Sequence, residues 1–154
     1  MTWTCWQEAF GRWRVVQDGD PLVFAIASRH YSFRHYQRKR RRDKRVVGPG
    51  ERLILLTSDG KALCIWKKFR DQSGQQGICC ALFRNEGADL SSALLIDAET
   101  LVRLRWPDER RLYTYVDPRK IKSTNPGYCF QMAGWKKCGQ TRGGLIILEK
   151  ILDG

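Results

Sequence analysis

The stretch Arg111–Thr141, RLYTYVDPRKIKSTNPGYCFQMAGWKKCGQT, decides how the rest of the chain is read. Leu112 to Val116 has the β-branched and aromatic composition of a strand, and Pro118 cannot extend a ladder, so the strand stops at Asp117. A loop rich in Lys and Arg follows. Asn125 is a natural N-cap and Pro126 suits the first helical position, so a short helix opens there. It stops at Gly134, which is free to take the left-handed conformation of a helix C-terminus. Trp135 then restarts an extended segment, and an aromatic straight after that glycine can fold back and lock the helix end. The unit is a strand, a loop and a helix packed on a sheet.

These residues carry a resemblance. Asn125, Ala133, Gly134 and Trp135 stand as they do in the helix ending of GNAT-fold acyltransferases, with two closing strands expected at Lys136 to Thr141 and Leu145 to Leu152. Within that superfamily the chain resembles the DNA-modification branch typified by the phage Mom protein. The resembling parts are Ser91-Ser92 opening a long helix, the run Tyr113 to Asp117 (YTYVD), and Gly127-Tyr128 leading to Ala133-Gly134-Trp135. They lie between Gly77 and Leu148. The resemblance implies an α/β (α+β) GNAT-like fold: a central, mostly antiparallel mixed sheet of six to seven strands with three to four flanking helices. It implies one such domain over residues 1–154, with a basic loop at 37–50.

Composition bounds the function. The 154 residues are 42% hydrophobic, with six Trp, six Phe and five Tyr, enough to build a packed core. No apolar run reaches the roughly 18 residues that span a bilayer. The start, MTWTCWQEAF, lacks the form of a signal peptide, so the expected compartment is the cytoplasm, which the Mom resemblance implies is that of a bacterial or phage-infected cell. Lys and Arg number 28 against 16 acids, a net charge of +12. A field of that sign concentrates polyanions, which makes DNA the leading partner class, with an anionic membrane surface attracted by the same field. The six cysteines form no CxxC pair and have no short His spacing, so no zinc site is expected. Cys64, Cys79 and Cys80 read as buried thiols inside apolar strands.

Taken in order, Phe10 to Val16 reads as a first strand and Asp18 to Pro21 as a turn. Val23, Ile26, Ala27, His30 and Tyr31 fall at helical spacing, so a helix is expected from Leu22 at least as far as Arg29. His30 and Tyr31 either pack under the sheet with wet polar tips or form a substrate-facing rim, which is what the Mom resemblance implies. Seven of the nine residues from Gln37 to Arg45 are Lys or Arg. Arg38, Lys39, Arg40, Arg41, Arg42, Lys44 and Arg45 either solvate a surface loop, bind phosphates or serve as a localisation signal. The second cluster, Arg119, Lys120 and Lys122, surrounds Asp117 with positive charge that suits an anionic, nucleic-acid substrate. Glu51 to Thr57, Lys61 to Phe69 and Gly77 to Phe83 are three apolar β-rich runs separated by turn signals, an antiparallel meander.

In GNAT enzymes the strand before the long helix ends in an R/Q-x-x-G-x-G/A loop whose amides, with the helix N-terminus, hold the pyrophosphate of coenzyme A. The resemblance therefore points to acetyl-CoA or another acyl donor, held by Arg84, Gly87, Ser91 and Ser92. Arg84 and Gly87 match that pattern, whereas Asp89 replaces its last small residue and, with Glu86, adds negative charge. Asp89 or Ser91 can also simply cap the helix, expected over Ser92 to Arg105. The Tyr that many GNAT enzymes use to protonate the leaving thiolate is replaced by Phe130. Tyr128 takes that role only if the helix starts irregularly. Asp117, at the end of a central strand, is the first candidate to orient or deprotonate an incoming amine; its plainer role is to open the Asp-Pro turn.

Three functions follow. One is a Mom-like transferase acting on an amino group of a DNA base, with Tyr31, Tyr36 or Trp135 stacking on the base unless Trp135 is core. The second is a GNAT acyltransferase acting on a protein lysine or small amine. The third is a non-catalytic nucleic-acid-binding module on the same fold.

Overall fold

A computed structural model describes residues 9–30, 45–48, 50–69, 74–121 and 124–153. The expected first strand is divided by Gly11 into β1 (Ala9–Phe10) and β2 (Trp13–Val16), which pair antiparallel. Gly11 takes φ +58, a turn conformation that a continuous strand would not tolerate. Helix α1 (Pro21–Ala27) begins one residue before the expected start, with Asp20 as N-cap accepting from the Leu22 amide at 2.9 Å. It also ends two residues short of Arg29. The chain tightens there into 3₁₀-type bonds from the Arg29 and His30 amides to the Ile26 and Ala27 carbonyls.

The three apolar runs form β3 (Glu51–Thr57), β4 (Ala62–Lys68) and β5 (Ile78–Asn85), antiparallel as their turn chemistry requires. Helix α2 (Ser91–Arg105) then crosses over to β6 (Arg111–Val116), which lies parallel to β5. After the short α3 (Tyr128–Met132), β7 (Lys136–Gln140) and β8 (Ile146–Ile151) close the chain. Among the described residues the sheet has eight strands in the order β1-β2-β3-β4-β5-β6-β8-β7, more than expected because the first strand is a hairpin.

Strand alternation divides the core. Leu53, Leu55, Cys64, Trp66, Ile78, Cys80 and Leu112 turn to the face covered by α2 and α3, where Leu94, Leu95, Ala98, Leu101 and Val102 meet them. Ile54, Leu56, Leu63, Ile65 and Leu82 turn to the other face, under Val23, Ile26 and Ala27 of α1. Burying one such Leu or Ile stabilises the fold by about 1.5–3 kcal/mol, so the two layers hold the sheet from both sides. Cys64, Cys79 and Cys80 are buried thiols, as their strand positions imply.

The end of α3 follows its sequence, and its start does not. Asn125 is not the N-cap: that position is Gly127, in the left-handed region at φ 83, where a Cβ would meet Leu148. Asn125 instead donates through Nδ2 to Gln131 Oε1 at 2.8 Å. At the other end Gly134 takes φ 98, its amide bonds Gln131 O, and the Trp135 amide bonds Phe130 O, both at 3.0 Å. Trp135 folds back so that its ring centroid lies 4.9 Å from that of Phe130. This is the two-bond Schellman closure with its apolar contact. Gly134→Ala should therefore cost roughly 1 kcal/mol and lower Tm by a few degrees, read by thermal denaturation; an unchanged Tm would show that the left-handed turn does not hold this end.

One irregularity shapes the middle of the sheet. Trp66 of β4 pairs with Cys80 of β5, but the next residue back, Ile65, pairs with Leu82, so Ala81 is an extra residue on β5. Such a bulge bends its strand and increases the local twist. The parallel pairing of β5 with β6 ends at the same point: Ile78, Cys79 and Cys80 face Leu112, Tyr113 and Thr114, and no later residues pair. Beyond Cys80 the two strands part, leaving an opening between their C-terminal ends.

Candidate active site

The last tie across the parallel strands is the hydroxyl of Thr114, which donates to the Cys80 carbonyl at 2.8 Å. Past it, the end of β5, its loop and the start of α2 form one bank, and Asp117 with the start of the β6–α3 loop forms the other. The core on the α2 and α3 face is aromatic here: Phe130 sits edge-on to Phe83 with centroids 6.1 Å apart, and Trp135 links Phe130 to Trp66. Phe130 is thus a packing residue in the position where many GNAT enzymes carry their acid. Trp135 is 2% exposed and donates to Glu99 Oε2 at 3.1 Å, so it belongs to the core and not to a stacking surface.

On the first bank, Asn85 organises the loop. Its Oδ1 accepts from the Gly87 and Ala88 amides at 3.0 and 2.9 Å, and its Nδ2 donates to Asp89 O and Ser91 Oγ at 2.6 and 2.9 Å. Neither Asp89 nor Ser91 is the N-cap of α2; that position is Leu90, which caps nothing with its side chain. Asp89 is exposed and its Oδ1 accepts from the Leu90 amide at 2.8 Å. Ser91 is already the first helical residue, so its hydroxyl serves Asn85. The amides of the first turn, from Ser91 to Ala93, keep their donors directed out of the helix end.

The acid next to Gly87 is neutralised. Glu86 accepts from Arg29 Nε and Nη2 at 2.8 and 2.6 Å and from Arg84 Nε at 2.7 Å. The Arg29 and Arg84 guanidiniums hold its carboxyl down at about 2. This stability is present above the ordinary value of 4.5 and is lost as pH falls from there to about 2. Wild type should accordingly lead Glu86→Gln in urea midpoint by a constant margin at pH 5–7, and the margin should close as the pH approaches 2. A margin independent of pH would show that the pair contributes nothing through its charge. The same ion cluster ties the exit of α1 to the loop, and burial followed by the charge of Arg84 lowers the His30 imidazole to about 4. His30 is therefore uncharged near neutral pH and cannot act there as a cationic phosphate contact.

On the facing bank Asp117 is 7% exposed. Its Oδ1 accepts from the Arg119 amide and Nε, both at 3.0 Å, and its Oδ2 from Arg119 Nη2 at 3.4 Å. Asp117 does form the expected turn, and the Arg119 guanidinium lowers its pKa below the ordinary carboxylate value. Arg119 and Lys120 are exposed beside it. Tyr128 stands 54% exposed as the first residue of α3, behind the left-handed Gly127, so the helix start is irregular as its candidacy requires.

The basic loop is not gathered here in its described part. The Val46 and Val47 amides donate to the Asp18 carboxylate at 2.7 and 3.0 Å, which holds exposed Arg45 near the start of α1, whereas His30 lies at its finish. Tyr31, Tyr36, Arg38, Lys39, Arg40, Arg41, Arg42, Lys44 and Lys122 lie outside the described residues. Reading the sequence missed Asn85 and Arg29. The Asn-x-Gly spacing of Asn85 and Gly87 signals an Asx turn; nothing local announces the pairing of Arg29 with Glu86.

The chain superposes on the GNAT domain of S. lividans PAT, with a TM-score of 0.66 over 98% of this chain and 100% of that one, at 19% identity. The fold is the GNAT fold. Weaker likenesses, both at 16% identity, link parts of the chain to two further structures. A GNAT-family acetyltransferase from Listeria monocytogenes 4b F2365 has a TM-score of 0.45 over 66% of this chain and 64% of that one. Aminoglycoside acetyltransferase AAC(6')-Ib in complex with coenzyme A has 0.41 over 65% of each. No protein-family model matches the sequence, and no curated protein matches it.

The acyl donor that the sequence resemblance implies would find a fit for its phosphates among the residues present at one place. The Gly87 and Ala88 amides are satisfied by Asn85 and the Leu90 amide by Asp89. The first turn of α2 remains, with outward amides, the Ser92 hydroxyl and the positive end of a 15-residue helix.

Proposed function

We propose that the protein is a GNAT-fold transferase that modifies an exocyclic amino group of a DNA base, as the Mom branch it resembles implies. The observation that carries this reading is the state of Asp117. A lysine side chain is protonated at neutral pH, with an ordinary pKa of about 10.4, and must lose that proton before it can attack. A carboxylate whose pKa is lowered by Arg119 is a poor base for that task. The amino group of a base is already neutral. It needs only an acceptor that aims it, and that takes its proton once attack has made the nitrogen cationic; an ionised Asp117 suits both steps.

The donor would supply an activated carbonyl when bound, with Ser91, Ser92 and the first-turn amides of α2 holding its phosphates. Tyr128 is the candidate to return a proton to the departing thiolate, because Phe130 has none. The net charge of +12 supports a polyanionic substrate, gripped by Arg119, Lys120, Lys122 and the run from Arg38 to Arg45. An amine inside a duplex cannot reach an opening between two strands, so the base would be flipped out or the substrate single-stranded. Mass analysis of nucleosides from DNA of cells expressing the protein tests the reading directly. A new base species present with wild type and absent with Asp117→Ala is expected. Unmodified DNA alongside acylated protein lysines would overturn the proposal in favour of the lysine acceptor.

A further inference from the structure

The last hairpin carries cations that the reading above leaves unused. β7 is an edge strand of the sheet, and all five of its residues, Lys136, Lys137, Cys138, Gly139 and Gln140, are exposed. Glu149 lies directly across from Lys136 in the ladder, but its carboxylate is taken by Arg111 Nε at 3.0 Å. Lys136, Lys137 and Arg142 have no carboxylate within ion-pair distance among the described residues. The turn from Thr141 to Leu145 is held by three bonds. The Thr141 amide donates to Leu145 O at 2.9 Å, the Gly144 amide to Thr141 O at 3.0 Å, and the Leu145 amide to Thr141 Oγ1 at 3.0 Å. A methyl placed on Gly144 would meet Arg119 Cζ at 3.9 Å, so Arg142 and Arg119 share one end of the hairpin, beside Asp117.

We infer that this edge, from Lys136 to Arg142 and on to Arg119, is a second grip for a nucleic-acid backbone, aligned with the opening. At about 3.3 Å per residue the edge is about 20 Å long, room for several successive phosphates of one strand. Its chemistry separates it from other acidic partners. None of the five β7 residues is a large apolar side chain, so the edge offers neither the buried anchor of a protein interface nor an apolar face to insert into a lipid surface. Asp117 fixes the guanidinium of Arg119, while Lys136, Lys137 and Arg142 follow the phosphates along the strand. The inference rests on the DNA reading but not on catalysis.

The test is fluorescence anisotropy of a labelled DNA duplex and of its single strand between 50 and 200 mM salt, comparing wild type with Lys136→Gln/Lys137→Gln/Arg142→Gln. The three residues are exposed, so Tm should be unchanged, and a control, Arg14→Gln/Arg103→Gln, removes exposed cations elsewhere. The triple variant should bind about tenfold or more weakly at 100 mM salt, with a log–log salt slope smaller by about 2 to 3, while the control keeps the wild-type slope. An unchanged slope in the triple variant, with wild type binding DNA, overturns the hairpin grip and leaves the substrate reading standing. No binding by wild type overturns both. Loss of binding to phosphatidylserine vesicles with DNA binding intact overturns the grip in favour of a lipid surface.

Discussion

Replacing Asp117 by Ala should lower the rate of base modification by about 10²- to 10³-fold, and replacing it by Asn should do nearly the same. The Asn variant makes the result informative. Asn accepts a hydrogen bond from an amide two residues on as well as Asp does, so it would keep the turn that Oδ1 makes with the Arg119 amide. It would lose the charge that takes up a proton from the attacking nitrogen. Full activity in Asp117→Asn would mean that the residue only shapes the loop, and the proposed chemistry would fail. The pH profile supplies a second reading. Because Arg119 lowers the Asp117 pKa, the carboxylate stays ionised below the usual range, and the acid limb of kcat should lie below the ordinary carboxylate range. Arg119→Ala should raise that limb. An acid limb at pH 6–7 in wild type would identify a different base.

The second large effect concerns stability. Glu99 is 4% exposed on α2 and accepts from Lys150 Nζ at 2.6 Å and from Trp135 Nε1 at 3.1 Å. Lys150 also donates to the Ala133 carbonyl at 2.8 Å, so one ammonium joins β8, α2 and the end of α3. Lys150→Met would strand a buried carboxylate and an acceptor at once, and about 3–5 kcal/mol should be lost, lowering Tm by roughly 10 °C. The double variant Glu99→Leu/Lys150→Met should recover much of that loss, because removing both charges also removes the cost of burying them. Urea denaturation of the three proteins decides it. A single variant no worse than the double would mean that the pair is hydrated and carries little.

The fold was legible in the sequence where chemistry was local. The Gly134-Trp135 closure and the three-strand meander follow from turn residues within a few positions of each element, and the order of the remaining elements from the GNAT resemblance. It was not legible where a distant group intervened. Asn125 is not the N-cap; Gly127 is, in a left-handed conformation over Leu148, far along the chain, which leaves no room for a Cβ there. Glu86 read as a repulsive charge beside a phosphate loop, yet Arg29 from another element neutralises it. Asp117 was visible as a residue to single out, but its partner and hence its protonation state were not. Trp66 is a further case: its indole Nε1 is buried with no hydrogen-bond partner among the described residues, a polar atom that an apolar strand pattern conceals.

The extra residue at Ala81 has an evolutionary consequence. Everything before it, including the paired part of the parallel strands, is bound by rungs on both sides and by the packing of two layers. Everything after it hangs from a single neighbour. Adding or deleting residues downstream of that point can therefore widen, narrow or re-line the crevice without repacking the interior. Removing Ala81 itself would invert the facing of Leu82 and Phe83 and draw the two strands together. A lineage that keeps this one insertion can change what the crevice admits by altering the loops alone, and one that loses it forfeits the crevice.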